Sequence, residues 1–168
     1  NNDPLGAELN AQTIAQSDAV AVIGHSSSET TSVAAPIYLR AGLPAINASP
    51  VSMETTRNFS NYFNISYTAE QQGAYLANYT KRSLGIDHAT IIYASNVSAS
   101  ALAKKFENTF RGLGGTIVFT QNLSAQSDMT EGEINDIVGR IFSVDSGVLL
   151  IAANETISAN LVIELKNR

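Results

Sequence analysis

The sequence predicts an α/β fold with mainly parallel sheets and flanking helices. Short β-branched runs alternate along the chain with longer stretches whose apolar residues recur every three or four positions, which is typical of repeated βα units. Two of the runs, Thr90-Ile91-Ile92-Tyr93 and Val148-Leu149-Leu150-Ile151, are nearly continuous in apolar residues, as expected for parallel strands covered on both faces. The hydrophobic content of 44% is enough to fill such a core.

Six runs are predicted as strands: residues 19–23, 44–47, 62–65, 89–93, 116–120 and 147–152. The segment between the second and third strands is expected to be mostly irregular. Amphipathic helices are predicted elsewhere, at residues 4–16, 28–41, 69–83, 102–113, 134–141 and 155–166. Gly114-Gly115 ends the fourth of these helices. Pro36 predicts that the helix over 28–41 kinks or begins late.

The predicted order begins and ends with a helix. A doubly wound sheet normally begins with a strand, and Pro4 after the polar Asn1-Asn2-Asp3 is typical of a helix entered from an upstream strand. We therefore expect the chain to be a fragment. Its N-terminus does not resemble a signal peptide.

Charge and composition exclude several classes of function. The chain has 10 Lys and Arg against 15 Asp and Glu, so it lacks a cationic surface for nucleic acid or anionic membranes. Cys is absent, which excludes disulfides, thiolate metal sites and a cysteine nucleophile. No apolar stretch approaches the roughly 20 residues that span a bilayer. With two His residues and no nucleotide-binding glycine motif, neither a metal nor a cofactor is predicted.

The first strand turns through Gly24 into a serine-rich helix start, Gly24-His25-Ser26-Ser27-Ser28. At the carboxyl end of a parallel strand, the free N–H groups of the next helix and its positive dipole end favour an anion, and serine hydroxyls add uncharged donors. This turn is a candidate site for a carboxylate or phosphate. The other interpretation is that Ser27 or Ser28 only caps the helix.

The same turn is close to the nucleophile elbow of serine hydrolases, with Ser26 as the nucleophile. Ser28 stands where the elbow needs a second glycine, and the available bases are His25, which adjoins Ser26, and His88. Asp87 is poorly placed to orient His88, because adjacent residues of an extended chain point in opposite directions. A serine hydrolase and a Rossmann-like fragment without a site are the alternatives to a binding protein.

Several spaced segments together carry a family resemblance: Ala21-Val22-Ile23-Gly24-His25-Ser26-Ser27-Ser28, Ala34-Ala35-Pro36-Ile37-Tyr38, Ala41-Gly42-Leu43-Pro44-Ala45-Ile46, Gln72-Gly73 and Ala89-Thr90-Ile91-Ile92-Tyr93. They resemble extracytoplasmic solute-binding proteins of the branched-chain amino acid type, which have the type I periplasmic binding protein fold. The resemblance implies two Rossmann-like lobes with a ligand held as the lobes close. Residues 1–66 would belong to the first lobe and residues 67–168 to the second, with the hinge crossing near residues 66–69.

The resemblance also implies a set of ligand-binding residues. In amino-acid-binding relatives a serine at the position of Ser28 binds the ligand carboxylate, and the next loop reads Ser-Pro-x-Ala-Thr. Here Asn47-Ala48-Ser49-Pro50-Val51 puts a valine in place of the threonine, and Ala94-Ser95-Asn96-Val97-Ser98-Ala99 replaces an aromatic loop of the second lobe. These small polar residues favour a more polar ligand, such as a small carboxylate or a sugar. The predicted ligand-binding residues are Ser27, Ser28, Asn47, Ser49, Ser98 and Asn154.

The sequence therefore predicts a non-enzymatic, periplasmic or otherwise extracytoplasmic protein. It would capture an amino acid or a related small polar compound for the membrane permease of an ABC transporter. The alternative among binding proteins is an extracytoplasmic sensor domain fused to a signalling module. No nucleic acid partner is expected in either case.

Overall fold

The computed structural model describes residues 3–49, 51–123 and 129–168. Its helices and strands are α1 (Pro4–Ala15), β1 (Val22–Ile23), α2 (Ser28–Ala41), β2 (Ala45–Asn47), α3 (Met53–Thr56), β3 (Tyr62–Asn64), α4 (Ala69–Asn78), β4 (His88–Ala94), α5 (Val97–Gly112), β5 (Thr116–Leu123), α6 (Glu131–Phe142), β6 (Val148–Ala152) and α7 (Glu155–Asn167). A π-helical turn, Tyr79–Ser83, follows α4. Asn1, Asn2 and Pro50, which entered the sequence interpretation, lie outside the described residues.

The chain divides into two compact units, Asn1–Glu70 and Gln71–Arg168. This boundary lies close to the crossing predicted near residues 66–69. The assignment of the two units to the lobes of a binding protein stays a prediction.

Three parallel strands form the sheet of the first unit, in the order β1, β2, β3. Val22 lies beside Ala45, and Ala45 lies beside Tyr62, so these side chains share one face of the sheet. That face packs against α2, which contributes the fully buried Tyr38 to the same cluster. Helix α1 lies against α2, and its Ala11 belongs to the same cluster.

The other face of this sheet carries a row of apolar side chains. Ile23, Ile46 and Phe63 are register neighbours across the three strands. Ile23 is 86% exposed and Phe63 is 54% exposed. The row therefore lies largely open to solvent in the first unit.

In the second unit β4 is the central strand, with parallel neighbours β5 and β6. Ile91 belongs to a cluster with Phe106 of α5, whereas the next residue, Ile92, belongs to a cluster with Val138 of α6 and Leu161 of α7. Helices thus cover both faces of the sheet, which confirms what the continuous apolar runs predicted.

Helix α4 approaches α5 closely at Gly73. A Cβ atom at this position would overlap the backbone carbonyl oxygen of Leu102 and would lie 2.9 Å from the backbone nitrogen of Phe106. The missing side chain therefore lets the two helix backbones come into contact.

The predicted strands are all present, with changed ends. β1 contains only Val22–Ile23 instead of residues 19–23, whereas β5 extends to Leu123. Helix α2 begins at Ser28 and continues through Pro36, so the late start is not observed. The cap at Ser27 fixes the beginning of the helix, and a proline removes only one of its N–H bonds. The short helix α3 lies in the segment that was expected to be irregular.

Candidate functional site

Three loops of the first unit follow the carboxyl ends of β1, β2 and β3 and therefore lie at one edge of the parallel sheet. Tyr62 of β3 holds the turn after β1. Its Oη accepts a hydrogen bond from the His25 N–H at 2.8 Å and donates to the Gly24 carbonyl oxygen. Gly24 has a φ of +142°, a conformation that favours glycine. The start of the serine cluster is thus fixed by a side chain of β3, which is separated from β1 by β2.

The two serines at the start of α2 have different roles. Ser27 caps the helix, because its Oγ accepts the Thr30 N–H at 3.3 Å and hydrogen-bonds Thr30 Oγ1 at 2.9 Å. Ser28 is 1% exposed, and its Oγ accepts the Ser52 N–H at 3.0 Å. The capping interpretation therefore applies to Ser27, whereas Ser28 supports the loop that follows β2.

Asn47 ends β2 and shapes the loop after it. Its Oδ1 accepts the Ser49 N–H at 2.6 Å, and its side chain is completely buried, whereas Ser49 is half-buried. Because Oδ1 is the acceptor, the remaining group is the amide Nδ2, which has no hydrogen-bond partner among the described residues. A buried donor without a partner costs about 1–3 kcal/mol, so an acceptor beside this amide would stabilise the loop.

Asn64, at the end of β3, repeats this arrangement and was missed by the sequence interpretation. It is the register partner of Asn47, its Oδ1 accepts the Ser66 N–H at 3.1 Å, and its Nδ2 is buried without a partner in the described part of the chain. A signal was available, because the triplet Asn-x-Ser follows both strands as Asn47-Ala48-Ser49 and Asn64-Ile65-Ser66. The first unit thus brings two unused amide donors to one edge.

Glu70, at the start of α4, was missed as well. Ser52 Oγ donates to Glu70 Oε1 at 2.9 Å, and the Met53 N–H donates to both carboxylate oxygens, at 3.2 and 3.0 Å. Burial raises the pKa of Glu70, but hydrogen bonds from the Met53 N–H, from its own N–H and from the hydroxyls of Ser52 and Thr68 outweigh burial and lower the pKa. The carboxylate therefore stays charged and holds the segment that leads into α3.

In the second unit Ser98 and Asn154 follow neighbouring strands. Because β4 pairs with β6, the loops after these strands meet at one edge, where the strand order reverses. Ser98 is half-buried in the first turn of α5. Asn154 is exposed and caps α7, with its Oδ1 accepting the Ile157 N–H at 2.8 Å. Both residues thus stand at helix N-termini.

The predicted ligand-binding residues form two groups, one in each unit. The first sheet edge has Ser27, Ser28, Asn47 and Ser49, and the second has Ser98 and Asn154. Ser28 and Asn47 are buried in bonds to the loop backbone. The other four side chains are half-buried or exposed and are therefore within easier reach of a ligand.

A protein-family model described as "Periplasmic binding protein" matches residues 1–158. The chain belongs to this family of periplasmic binding proteins. No curated protein sequence is significantly similar to it.

Solved structures share the fold of this periplasmic binding protein. The ABC transporter substrate-binding protein of Desulfitobacterium hafniense in complex with Leu is 23% identical with a TM-score of 0.82, over 98% of this chain and 49% of that one. The branched-chain amino acid transporter substrate binding protein of Streptococcus pneumoniae in complex with isoleucine is 19% identical with a TM-score of 0.82, over 98% and 46%. A solute binding protein of Rhodopseudomonas palustris in complex with 3,4-dihydroxy benzoic acid is 16% identical with a TM-score of 0.85, over 99% and 45%. The chain has the type I periplasmic binding fold and spans about half the length of these proteins.

A cavity of about 520 Å³ lies at the turn after β1 of the periplasmic binding protein. Asp3 and Asn10 of the α1 region and His25, Ser26 and Thr30 are among its lining residues. Within the described part of the chain, the ligand-binding residues predicted from the sequence do not line this cavity.

The ring of His25 packs against Tyr38. Its Nε2 lies 3.1 Å from Tyr38 Oη, and its ring stacks on the Tyr38 ring. Burial lowers the pKa of His25. The ring is therefore engaged with the core of the first unit.

His88 has a carboxylate partner that the sequence did not reveal. Its Nδ1 lies 2.8 Å from Asp145 Oδ2, whereas Asp87 pairs with Lys81. His88 begins β4 and so lies at the edge of the sheet opposite Ser98 and Asn154. These pairings give the hydrolase interpretation no support.

In residues 3–49, 51–123 and 129–168, no three His, Asp or Glu side chains come together as metal ligands. No helix in these ranges is both long enough and apolar enough to cross a membrane.

Proposed function

We propose that the protein is an extracytoplasmic solute-binding protein that captures a small polar ligand, an amino acid or a related carboxylate, for an ABC-type uptake transporter. The family match over residues 1–158 carries this proposal. Under this proposal the protein passes its ligand to a membrane permease and performs no chemistry on it.

The ligands of the three similar structures support a carboxylate. Leu, isoleucine and 3,4-dihydroxy benzoic acid each contain this group. In this chain the start of α2 and the neighbouring loop offer uncharged donors, among them the hydroxyls of Ser27 and Ser49. The positive end of the α2 dipole favours an anion at the same place. We therefore assign the ligand carboxylate to the edge of the first sheet.

The remaining residues support a ligand with further polar groups. Ser98 and Asn154 offer a hydroxyl and an amide at the edge of the second sheet. Val51 is completely buried, so its side chain supplies only packing. Ser28 and Asn47 are assigned to holding the loop through Ser52 and Ser49. The polar character of these residues favours a hydroxylated or amino-substituted carboxylate.

Titration calorimetry on the intact protein tests the proposal. The probes are leucine, isoleucine, benzoate, 4-hydroxybenzoate and 3,4-dihydroxybenzoate. Two compounds without a carboxylate serve as comparisons, the cationic leucinamide and the uncharged glucose. We expect a carboxylate to bind and leucinamide not to bind. Ser49→Ala and Ser98→Ala are each expected to weaken binding about threefold to tenfold, the value of one hydrogen bond.

The matched control is Ser32→Ala, on the exposed side of α2, where the serine hydroxyl donates to the Glu29 carbonyl oxygen. This variant should bind like the unmodified protein. If no probe binds the intact protein, or if Ser32→Ala weakens binding as much as Ser49→Ala, the proposed function is wrong.

A further inference from the structure

Three polar residues from separate elements of the first unit form a continuous chain of hydrogen bonds. Ser28 of α2 accepts the Ser52 N–H at 3.0 Å, and the Ser52 hydroxyl donates to Glu70 of α4 at 2.9 Å. Ser28 is 1% exposed and Ser52 is 2% exposed, so water competes little for these bonds. Ser52, just before α3, is thus tied to two helices at once.

A second set of bonds fixes the same segment to the start of α4. The Ala69 N–H donates to the Val51 carbonyl oxygen at 3.2 Å, and the Met53 N–H donates to both Glu70 oxygens, at 3.2 and 3.0 Å. Val51 is completely buried and Ala69 is 1% exposed. Two donors of this segment, the Ser52 hydroxyl and the Met53 N–H, bind Glu70, so the carboxylate is its main polar anchor.

We propose that Glu70 is a positioning residue of the solute site: through Ser52 and Met53 it holds residues 51–53 of the loop after β2 and keeps Ser28 bound to the Ser52 N–H. This inference rests on the proposed function, because it assigns the loop to ligand binding. Glu70 itself does not touch the ligand. Hydrogen bonds to a charged acceptor are the strong ones, so the carboxylate holds the loop more firmly than a neutral side chain does.

Affinity measurements on variants of the intact protein test this role, with leucine and 3,4-dihydroxybenzoate as probes. We expect Glu70→Ala to weaken binding about tenfold, and Glu70→Gln, which keeps one acceptor oxygen, to weaken it less. If Glu70 acts through Ser52, the double variant Ser52→Ala/Glu70→Ala binds about as well as Glu70→Ala alone, because the two changes remove the same bond.

Glu133→Ala is the matched control. Glu133 is also a carboxylate that holds a helix start, since its Oε2 accepts the Thr130 N–H and hydroxyl, both at 2.8 Å, at the beginning of α6. Glu133→Ala should lower the stability of the protein but leave its affinity for the probes unchanged. Wild-type affinity in Glu70→Ala, or equal losses in Glu70→Ala and Glu133→Ala, would overturn the positioning role.

Amide hydrogen exchange in the ligand-free protein separates this inference from the proposed function. Glu70→Ala should speed the exchange of the Ser52 and Met53 amides about tenfold and leave the amides of β4 unchanged. If no probe binds but exchange accelerates as expected, the proposed function fails while the anchoring of the loop by Glu70 stands. Unchanged exchange of both amides refutes the positioning role whatever the binding result.

Discussion

Asn47 and Asn64 are register partners on adjacent parallel strands, and each turns its side-chain oxygen towards the backbone N–H two residues later. The same local turn is thus built twice, and both amide nitrogens are left without partners among the described residues. Register partners on parallel strands point to the same face and lie about 4.8 Å apart, so the two turns stand side by side at the edge of the sheet.

Asn47→Ala is expected to lower the free energy of unfolding by about 1 kcal/mol, because the Ser49 N–H loses its acceptor in a loop at the site. Asn108→Ala serves as the control, since Asn108 is exposed on α5 and alanine favours helix there. Urea denaturation measures the free energy of unfolding of both variants. Equal stability of the two variants contradicts the role given to the Asn47 turn.

Glu70 makes stability depend on pH in the acidic range. Its pKa is lowered in the folded protein, so the unfolded chain binds the proton more tightly. The stabilisation is therefore complete above the unfolded pKa of about 4.3 and is lost as the pH falls through the lower folded pKa. We expect the unfolding free energy of Glu70→Gln to fall less steeply with acid than that of the unmodified protein. Unfolding free energies are measured in denaturation series between about pH 6 and 3. If they fall equally steeply with acid in both proteins, Glu70 is not a charged anchor.

Gly73→Ala is expected to destabilise the second unit by about 1–3 kcal/mol, the usual cost of overpacking. The new Cβ would overlap the Leu102 carbonyl oxygen and push α4 away from α5. Gly112→Ala is the control, because a Cβ on Gly112 meets no atom within 4 Å and the residue lies at the end of α5. Thermal unfolding should show a lower midpoint for the first variant only.

Phe63 and Phe106 should differ sharply in their contribution to stability. Phe63 is 54% exposed on the first sheet, whereas Phe106 is 1% exposed in a core of the second unit. We expect Phe106→Ser to lower the free energy of unfolding by about 3–5 kcal/mol, because it leaves a cavity, and Phe63→Ser to lower it by less than about 1 kcal/mol. Urea denaturation measures both free energies. Equal losses in the two variants would contradict the difference in burial.

The fold was predictable where the residues that decide a structure are close in sequence. The run Thr90-Ile91-Ile92-Tyr93 indicated a strand buried on both faces, and Ser27 with its neighbours indicated a helix start. Long-range contacts were not predictable in this way. The Ser52 N–H reaches Ser28 across 24 residues, and Ser52 reaches Glu70 across 18. No local pattern marks such partners, so the roles of Ser52 and Glu70 became visible only in the structure.

The central position of β4 affects how the second unit melts. Ile91 and Ile92 are adjacent in the chain, yet they belong to the two different hydrophobic clusters on opposite faces of the sheet. Because both clusters include residues of β4, neither can lose this strand while the other retains it. The two layers should therefore unravel in one cooperative transition, and the amides of β4 should be the last in this unit to exchange with solvent.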